Sequence, residues 1–505
     1  MAETVEERKI TEGVLTRTLP PPKSAVVPMP PSVLPAAALA GIAGAVLVPL
    51  DRPGIGWVLA GIATVVAVFV ADRMARGDNP KHFTVASAGW ASLALALLAM
   101  GAVRASEWLF TLCVLAAVVT GSLAVAGKRT VNSLLYDVLA VPIEALRSIP
   151  WVARGLGRLT ARRGGMAQRV LLATLATIVL LAVFIPLLNS SDEAFAQVMA
   201  ALMPDLAADK IVRWVAVFAV VALAVAGACY LLAAPPLPAL DDRPPRTGRA
   251  LEWTVPLTAL VLLFALFVGV RLAVLFGGTG YVLRTDGLTS AQYARGGFWQ
   301  LCACTVLTLA LIAAALRWAP DATRADRIRQ RGLLGVLSVL SLVIVGSALS
   351  RMWTYQEAYG FTVLRLLVEV CELWLGCVFL LVLASLMKLR SSWLPRAAIG
   401  TAAAALLALA VLDPERVIAD ANIDRFALGK TLDVEYLGRF SADVVETAAE
   451  RLPEPERTCV LRTVLARLGD DGWTGWNLAR AGAQDYRNVL ASVGKPVNPA
   501  RGCAV

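Results

Sequence analysis

The stretch FTVLRLLVEVCELWLGCVFLLVLASL, residues 361–386, decides the fold class of this chain. A helix needs about 20 apolar residues to cover the roughly 30 Å of bilayer hydrocarbon, and this run exceeds that length. Ten further runs of the same character lie near 33–50, 54–71, 85–103, 108–126, 170–188, 211–234, 253–275, 298–316, 332–350 and 397–412. They are rich in Ala, Leu, Val and Gly and lack the apolar–polar alternation of a membrane β-strand. With 58% hydrophobic and 17% charged residues, most of the chain cannot be the core of a water-soluble domain. The expected fold class is an all-α polytopic membrane protein of about eleven transmembrane helices, carrying a small extracytoplasmic C-terminal helical domain.

Loop charges give the orientation, because Lys and Arg accumulate on the cytoplasmic side. With the N-terminus inside, segments 1–32, 72–84, 127–169, 235–249, 317–331 and 387–396 hold 26 Lys/Arg. The opposite loops, 51–53, 104–107, 189–210, 276–297 and 351–360, hold 6. An odd number of spans then places residues 413–505 outside a cytoplasmic (plasma) membrane. The net charge of +10 resides in these juxtamembrane loops. Anionic lipid head groups are therefore the expected partner, with about 1 kcal/mol for each basic residue near the surface, and nucleic acid is not.

The chain divides into five parts. Residues 1–32 form a disordered proline-rich cytoplasmic tail with Pro20, Pro21, Pro22, Pro28, Pro30 and Pro31, and without the basic-then-apolar order of a cleavable signal. Residues 33–126 carry four N-terminal spans. Residues 127–169 form a basic amphipathic segment in which Arg147, Arg154, Arg158, Arg162 and Arg163 lie among and after apolar positions, as in a helix at the cytoplasmic interface. Residues 170–412 make a seven-helix membrane core. Residues 413–505 hold 14 acidic and 12 basic residues and recurring apolar positions at helical spacing, which predicts a small bundle of four or so helices.

Catalytic signatures are largely absent. The only histidine is His82, which leaves little scope for a histidine-based zinc site or a Ser-His-Asp triad within the chain. No phosphate-cradling glycine loop or nucleophile elbow occurs, and neither a cofactor nor a metal is expected. Ser385-Leu-Met-Lys388 reads as a snorkelling lysine at a helix end. Six of the eight cysteines fall in spans, whereas Cys459 and Cys503 lie in the outer domain, where oxidising conditions permit a disulfide.

Ionisable residues inside the bilayer are costly and face a partner or a cavity. Arg365, Glu369 and Glu372 share one face of the helix at i, i+4, i+7. The two carboxylates should lie roughly 12–17 Å deep. Arg271 falls at a depth similar to that of Arg365. These four residues form the expected intramembrane cluster, serving either as charge-balanced helix glue or as the lining of a polar cavity. Arg351, Tyr355, Glu357 and Tyr359 form a second expected cluster at the outer face.

Several segments together resemble a known family: NSSDEAFAQ (189–197), YARGGFWQL (293–301), RMWTYQEAYGFTVLR (351–365), DPERVIADANIDRF (413–426) and LDVEYLGRFSADVV (432–445). They are similar to multi-pass bacterial membrane proteins grouped as domain of unknown function 4173, with relatives labelled 4153. The likeness runs from about 170 to 450, and the first four spans and the last fifty residues lie outside it. It implies a shared membrane core and an outer helical domain entered through a motif containing Asn422 and Asp424, and it implies no activity. The residues themselves favour a non-catalytic sensor or scaffold with an envelope or signalling protein as partner. A transporter or lipid-handling protein using the Arg/Glu cluster is the alternative. A third reading is an outer-face enzyme using carboxylates such as Asp192, Glu193, Asp286 or Glu357.

Overall fold

An unpaired backbone N–H or C=O costs several kcal/mol in hydrocarbon, so a chain of this hydropathy crosses a membrane only as helix or closed barrel. The computed structural model describes residues 27–76, 84–127, 134–161, 208–234, 250–276, 298–319, 323–388 and 393–492, with a few isolated positions between 177 and 198. No strand occurs among the described residues. In chain order the helices begin with α1 (Val33–Leu47), α2 (Ile55–Arg76), α3 (Val85–Val103), α4 (Glu107–Ala126), α5 (Leu134–Val138) and α6 (Ala140–Ala161). They continue with α7 (Ala208–Ala233), α8 (Ala250–Phe276), α9 (Phe298–Trp318), α10 (Arg324–Tyr359), α11 (Val363–Lys388) and α12 (Leu394–Leu412). Beyond Asp413 come α13 (Pro414–Ala427), α14 (Val434–Gly438), α15 (Val445–Arg451), α16 (Glu456–Ala466) and α17 (Leu478–Ser492).

Among the described residues nine helices are long and apolar enough to cross a membrane: α2, α3, α4 and α7 to α12. The chain is thus an all-helical, multi-pass membrane protein. The first expected span is a helix of only 15 residues, and the fifth, 170–188, lies largely outside the described residues. The ninth differs in the other direction, since α10 runs for 36 residues where hydropathy marks only 332–350. A capping box starts it early: the Thr323 hydroxyl accepts from Asp326 N–H, and the Asp326 carboxylate accepts from Thr323 N–H. Its polar last turns, Arg351 to Tyr359, are therefore helix and not loop. Polar ends add nothing to a hydropathy window, although helix continues readily through them.

Three apolar clusters hold the membrane part together. One joins α1, α2, α6 and α7 around Trp151 and Tyr230; a second joins α3, α4 and α12; a third joins α8 to α11 around Leu337 and Phe379. On α8, Leu251, Leu262, Leu263, Leu266 and Val270 stay exposed, the surface expected where lipid is the solvent. Buried hydroxyls inside spans, such as Thr305, Ser338 and Ser341, bond carbonyls of their own helix at 2.7–2.8 Å.

The basic amphipathic segment contains α6, which packs along the C-terminal half of α7. Trp151 is buried there, its indole donating to Val27 O at 2.9 Å, while Leu139, Leu146 and Ile149 remain exposed on the free side. The close approach depends on Gly227, where a Cβ would meet Ala145 N at 2.4 Å. Gly227→Ala should therefore destabilise the detergent-solubilised protein by about 1–3 kcal/mol through overpacking. Gly269→Ala, with open space at its Cβ, should be neutral or gain up to about 1 kcal/mol of helix propensity. Thermal midpoints of the two variants check this opposite sign.

Candidate functional site

A helix end leaves up to four backbone groups without intrahelical partners, and at a membrane boundary something must satisfy them. In this protein side chains from α13 to α17 do so. These helices form a cap with its own core of Ile418, Leu437, Val444, Val460 and Leu465. The cap seats on the connections α1–α2, α3–α4, α10–α11 and α12–α13, all at one end of the membrane bundle, here the near end.

At the α10–α11 turn, Gly360 adopts φ +89°, a conformation that L side chains rarely adopt. Asn422 of α13 bonds this turn reciprocally: its Oδ1 accepts from Phe361 N–H and its Nδ2 donates to Phe361 O, each at 2.9 Å. Arg425 donates to Glu357 O at 3.0 Å and Ala358 O at 3.1 Å, and Lys430 donates to Glu357 O at 2.8 Å. The Tyr436 hydroxyl accepts from Val363 N–H at 2.9 Å. Every one of these bonds answers a backbone group at the end of α10 or the start of α11.

The α3–α4 and α12–α13 connections are treated alike. Arg104 donates to Ala410 O at 2.9 Å and Val411 O at 2.6 Å and pairs with Asp413 at 2.7 Å. Asp443 Oδ2 accepts from Ala105 N–H at 2.9 Å and Ser106 N–H at 3.1 Å. Glu415 accepts from the Trp108 indole at 2.9 Å and from Ser441 N–H and hydroxyl at 2.7 and 2.6 Å. Asn477 donates to Gly101 O and Arg104 O, both at 2.8 Å. Arg480 reaches Pro53 O at 2.6 Å, and its ion pair with Asp471 at 2.7 Å also draws in Arg52 at 3.2 Å. Two cavities of about 370 and 440 Å³ open along this seam.

The outer-face cluster lies within the clamped region. Tyr355 and Tyr359 rings sit 4.9 Å apart, the Arg365 guanidinium stacks over Tyr355 at 4.4 Å, and Glu357 accepts from the Trp353 indole at 3.1 Å. Arg351 is half-buried on α10. Within the intramembrane cluster, Arg365 turns back to donate to Gly360 O, and no ion pair within 4 Å joins it to Glu369 or Glu372. Glu369 accepts from Gln356 at 3.2 Å. Glu372 is 2% exposed and faces the Cys302 thiol of α9, and its Oε2 lies buried without a hydrogen-bond partner, as does Gln356 Oε1. Arg271 lies on α8, its side chain outside the described residues. Cys459 is disulfide-bonded, and Cys503 lies outside the described residues.

Sequence reading passed over Arg104, Asp413, Glu415, Asp443 and Asn477. One signal was present: Asp-Pro directly after an apolar run gives an N-cap and a proline at the first helical position. Nothing in spacing could join Arg104 to a residue more than 300 positions away.

Helical spans capped by a polar helical unit define the class as a multi-pass integral membrane protein. Within that class the chain belongs to the family described as Domain of unknown function (DUF4153), which matches residues 92–450. The match begins within α3, earlier than the motif likeness, and it is to the 4153 group. No curated protein and no solved structure matches the chain.

Asn422→Ala removes both reciprocal bonds and leaves Phe361 N–H and C=O unanswered. Each buried orphan costs about 1–3 kcal/mol, so the cap should loosen by an amount of that order while the spans stay folded. Protease cleavage confined to residues 428–492, accelerated in the variant, checks this outcome.

Proposed function

We propose that the protein is a non-catalytic sensor or scaffold of the bacterial cell envelope, with eleven spans in the cytoplasmic membrane, its N-terminus inside and its cap outside. The observation that carries the reading is the seam: a polar cap bonded to four connections of the bundle reports on, or holds, the arrangement of many spans at once. The charge asymmetry of the loops supports the orientation, since the cap sits at the end where few Lys and Arg lie. The count of eleven has its own support. Trp151 on α6 bonds Val27 at the far end, whereas Arg213 on α7 pairs with Asp51 at the near end at 2.5 Å. These two contacts at opposite ends support counting the apolar run 170–188 as a further span.

Anionic lipid or a signalling protein at the far-end basic segments and an envelope protein at the cap are the partners this reading implies. A Cys459–Cys503 disulfide would tie the C-terminus to α16. Native mass spectrometry of protein gently extracted from its own membranes tests the reading. A stoichiometric protein partner supports it, and a retained solute with no protein partner overturns it.

One observation favours a transporter as the second reading: the unpartnered Glu372 oxygen inside the bundle. Proton-coupled solute flux in reconstituted vesicles that disappears in Glu372→Gln would establish it. On the sensor reading the same substitution leaves vesicle permeability unchanged.

A further inference from the structure

Asp413 joins the last span to the cap, and it is unusual twice over. Among the described residues it is the only non-glycine with positive φ, 61°, and its side chain is almost wholly buried. Its Oδ1 caps α13 by accepting Arg416 N–H at 3.3 Å, while Oδ2 pairs with Arg104 at 2.7 Å. Asp443 is buried on the same cavity wall, where it feels the charge of that guanidinium without pairing with it. All its hydrogen bonds, including one from the Ser441 hydroxyl at 2.8 Å, go to Oδ2, and Oδ1 is buried without a partner.

One guanidinium therefore pairs with Asp413 alone and offsets the second buried carboxylate, Asp443, only through its field. The groups facing them from the neighbouring elements do not correct the imbalance. Glu415 on α13 adds negative charge. Arg416 turns away to Glu446 at 3.0 Å. Glu450 on α15 and Tyr486 on α17 complete the charged and titratable lining of the roughly 440 Å³ cavity, on whose wall Asp413 and Asp443 both lie.

An uncompensated buried charge is strongly destabilising, so something must neutralise it. A metal ion would need several converging ligands, and no group of three His, Cys, Asp or Glu suited to one occurs among the described residues. Arg104 occupies the position where an organic cation would sit. A proton needs a single oxygen, and Asp443 Oδ1 is one without a competitor.

We propose that Asp413, Asp443 and Arg104 form a proton-operated latch between the last span and the cap. One proton held by the carboxylate pair keeps the seam closed. Its departure to water through the cavity leaves two anions on one cation and loosens the cap. As a signal the latch rests on the sensor reading above; its chemistry stands without it. Burial first, then the neighbouring Asp443 charge, raise the Asp413 carboxyl to about 7, and burial raises Asp443 and Glu415 too. A carboxyl raised in the closed state makes closure strongest in acid, and that stability is lost as pH climbs through about 7.

Hydrogen exchange at the Ala105 and Ser106 amides, both bonded to Asp443, reads the seam directly in full-length protein held in nanodiscs. After correction for intrinsic exchange, the opening constant should rise by up to about tenfold per pH unit between roughly pH 5 and 7, then level off. Asp413→Asn keeps a capping oxygen and a residue tolerant of the left-handed region, and it should remove the slope with the seam still closed. If that variant does not assemble, Asp443→Asn is expected to flatten the profile in its place. A flat wild-type profile, or an unchanged slope in whichever variants assemble, overturns the latch. A titrating seam that leaves partner binding unaltered overturns the sensor reading instead.

Discussion

The structure depends on how the near-end backbone groups of the spans are satisfied. A span can close every internal hydrogen bond and still present bare carbonyls and N–H groups where it ends. The near end places folded protein there. Asn422, Arg425, Lys430 and Tyr436 answer α10 and α11, Asp443 and Asn477 answer α3 and α4, and Arg480 answers the α1–α2 connection. The cap is thus the set of helix caps that the spans lack, gathered into one folded unit.

This arrangement explains where charge is tolerated. Exposed pairs on the cap, such as Arg439–Glu435 and Arg416–Glu446, each contribute little to stability. Buried groups at the seam act differently, because each is tied to backbone groups of another element and cannot move without exposing them. Buried polar networks of this kind are stable when every member is satisfied and fragile where one is not. Asp443 Oδ1 at the seam and Glu372 Oε2 within the bundle are two carboxylate oxygens left unsatisfied, each on a group that can take up a proton.

Legibility from sequence followed the range of the physics. Hydropathy is a local sum, so nine spans and the helical nature of residues 414–492 could be read directly. The cap bonds the connections at Pro53, Ala105 and Phe361, and alternate crossings put such connections on one side. The helical face shared by Arg365, Glu369 and Glu372 was equally legible. The partners of those residues were not, since Gln356, Cys302 and Tyr355 come from other helices or earlier turns, and a residue's own spacing does not name its neighbour.

By itself the sequence determined that this chain lives in a membrane, that it crosses repeatedly as helix, and that the stretch 414–492 is polar and helical. These are consequences of composition and periodicity, which act over one or two helical turns. Only the tertiary structure decided that Arg104 meets Asp413, that Asp443 takes the Ala105 amide, and that Asn422 closes the α10–α11 turn. Those contacts join positions from 61 to more than 300 residues apart. They exist because the ends of several spans arrive at one boundary, where their unpaired backbone groups can be satisfied only by side chains from elsewhere in the chain.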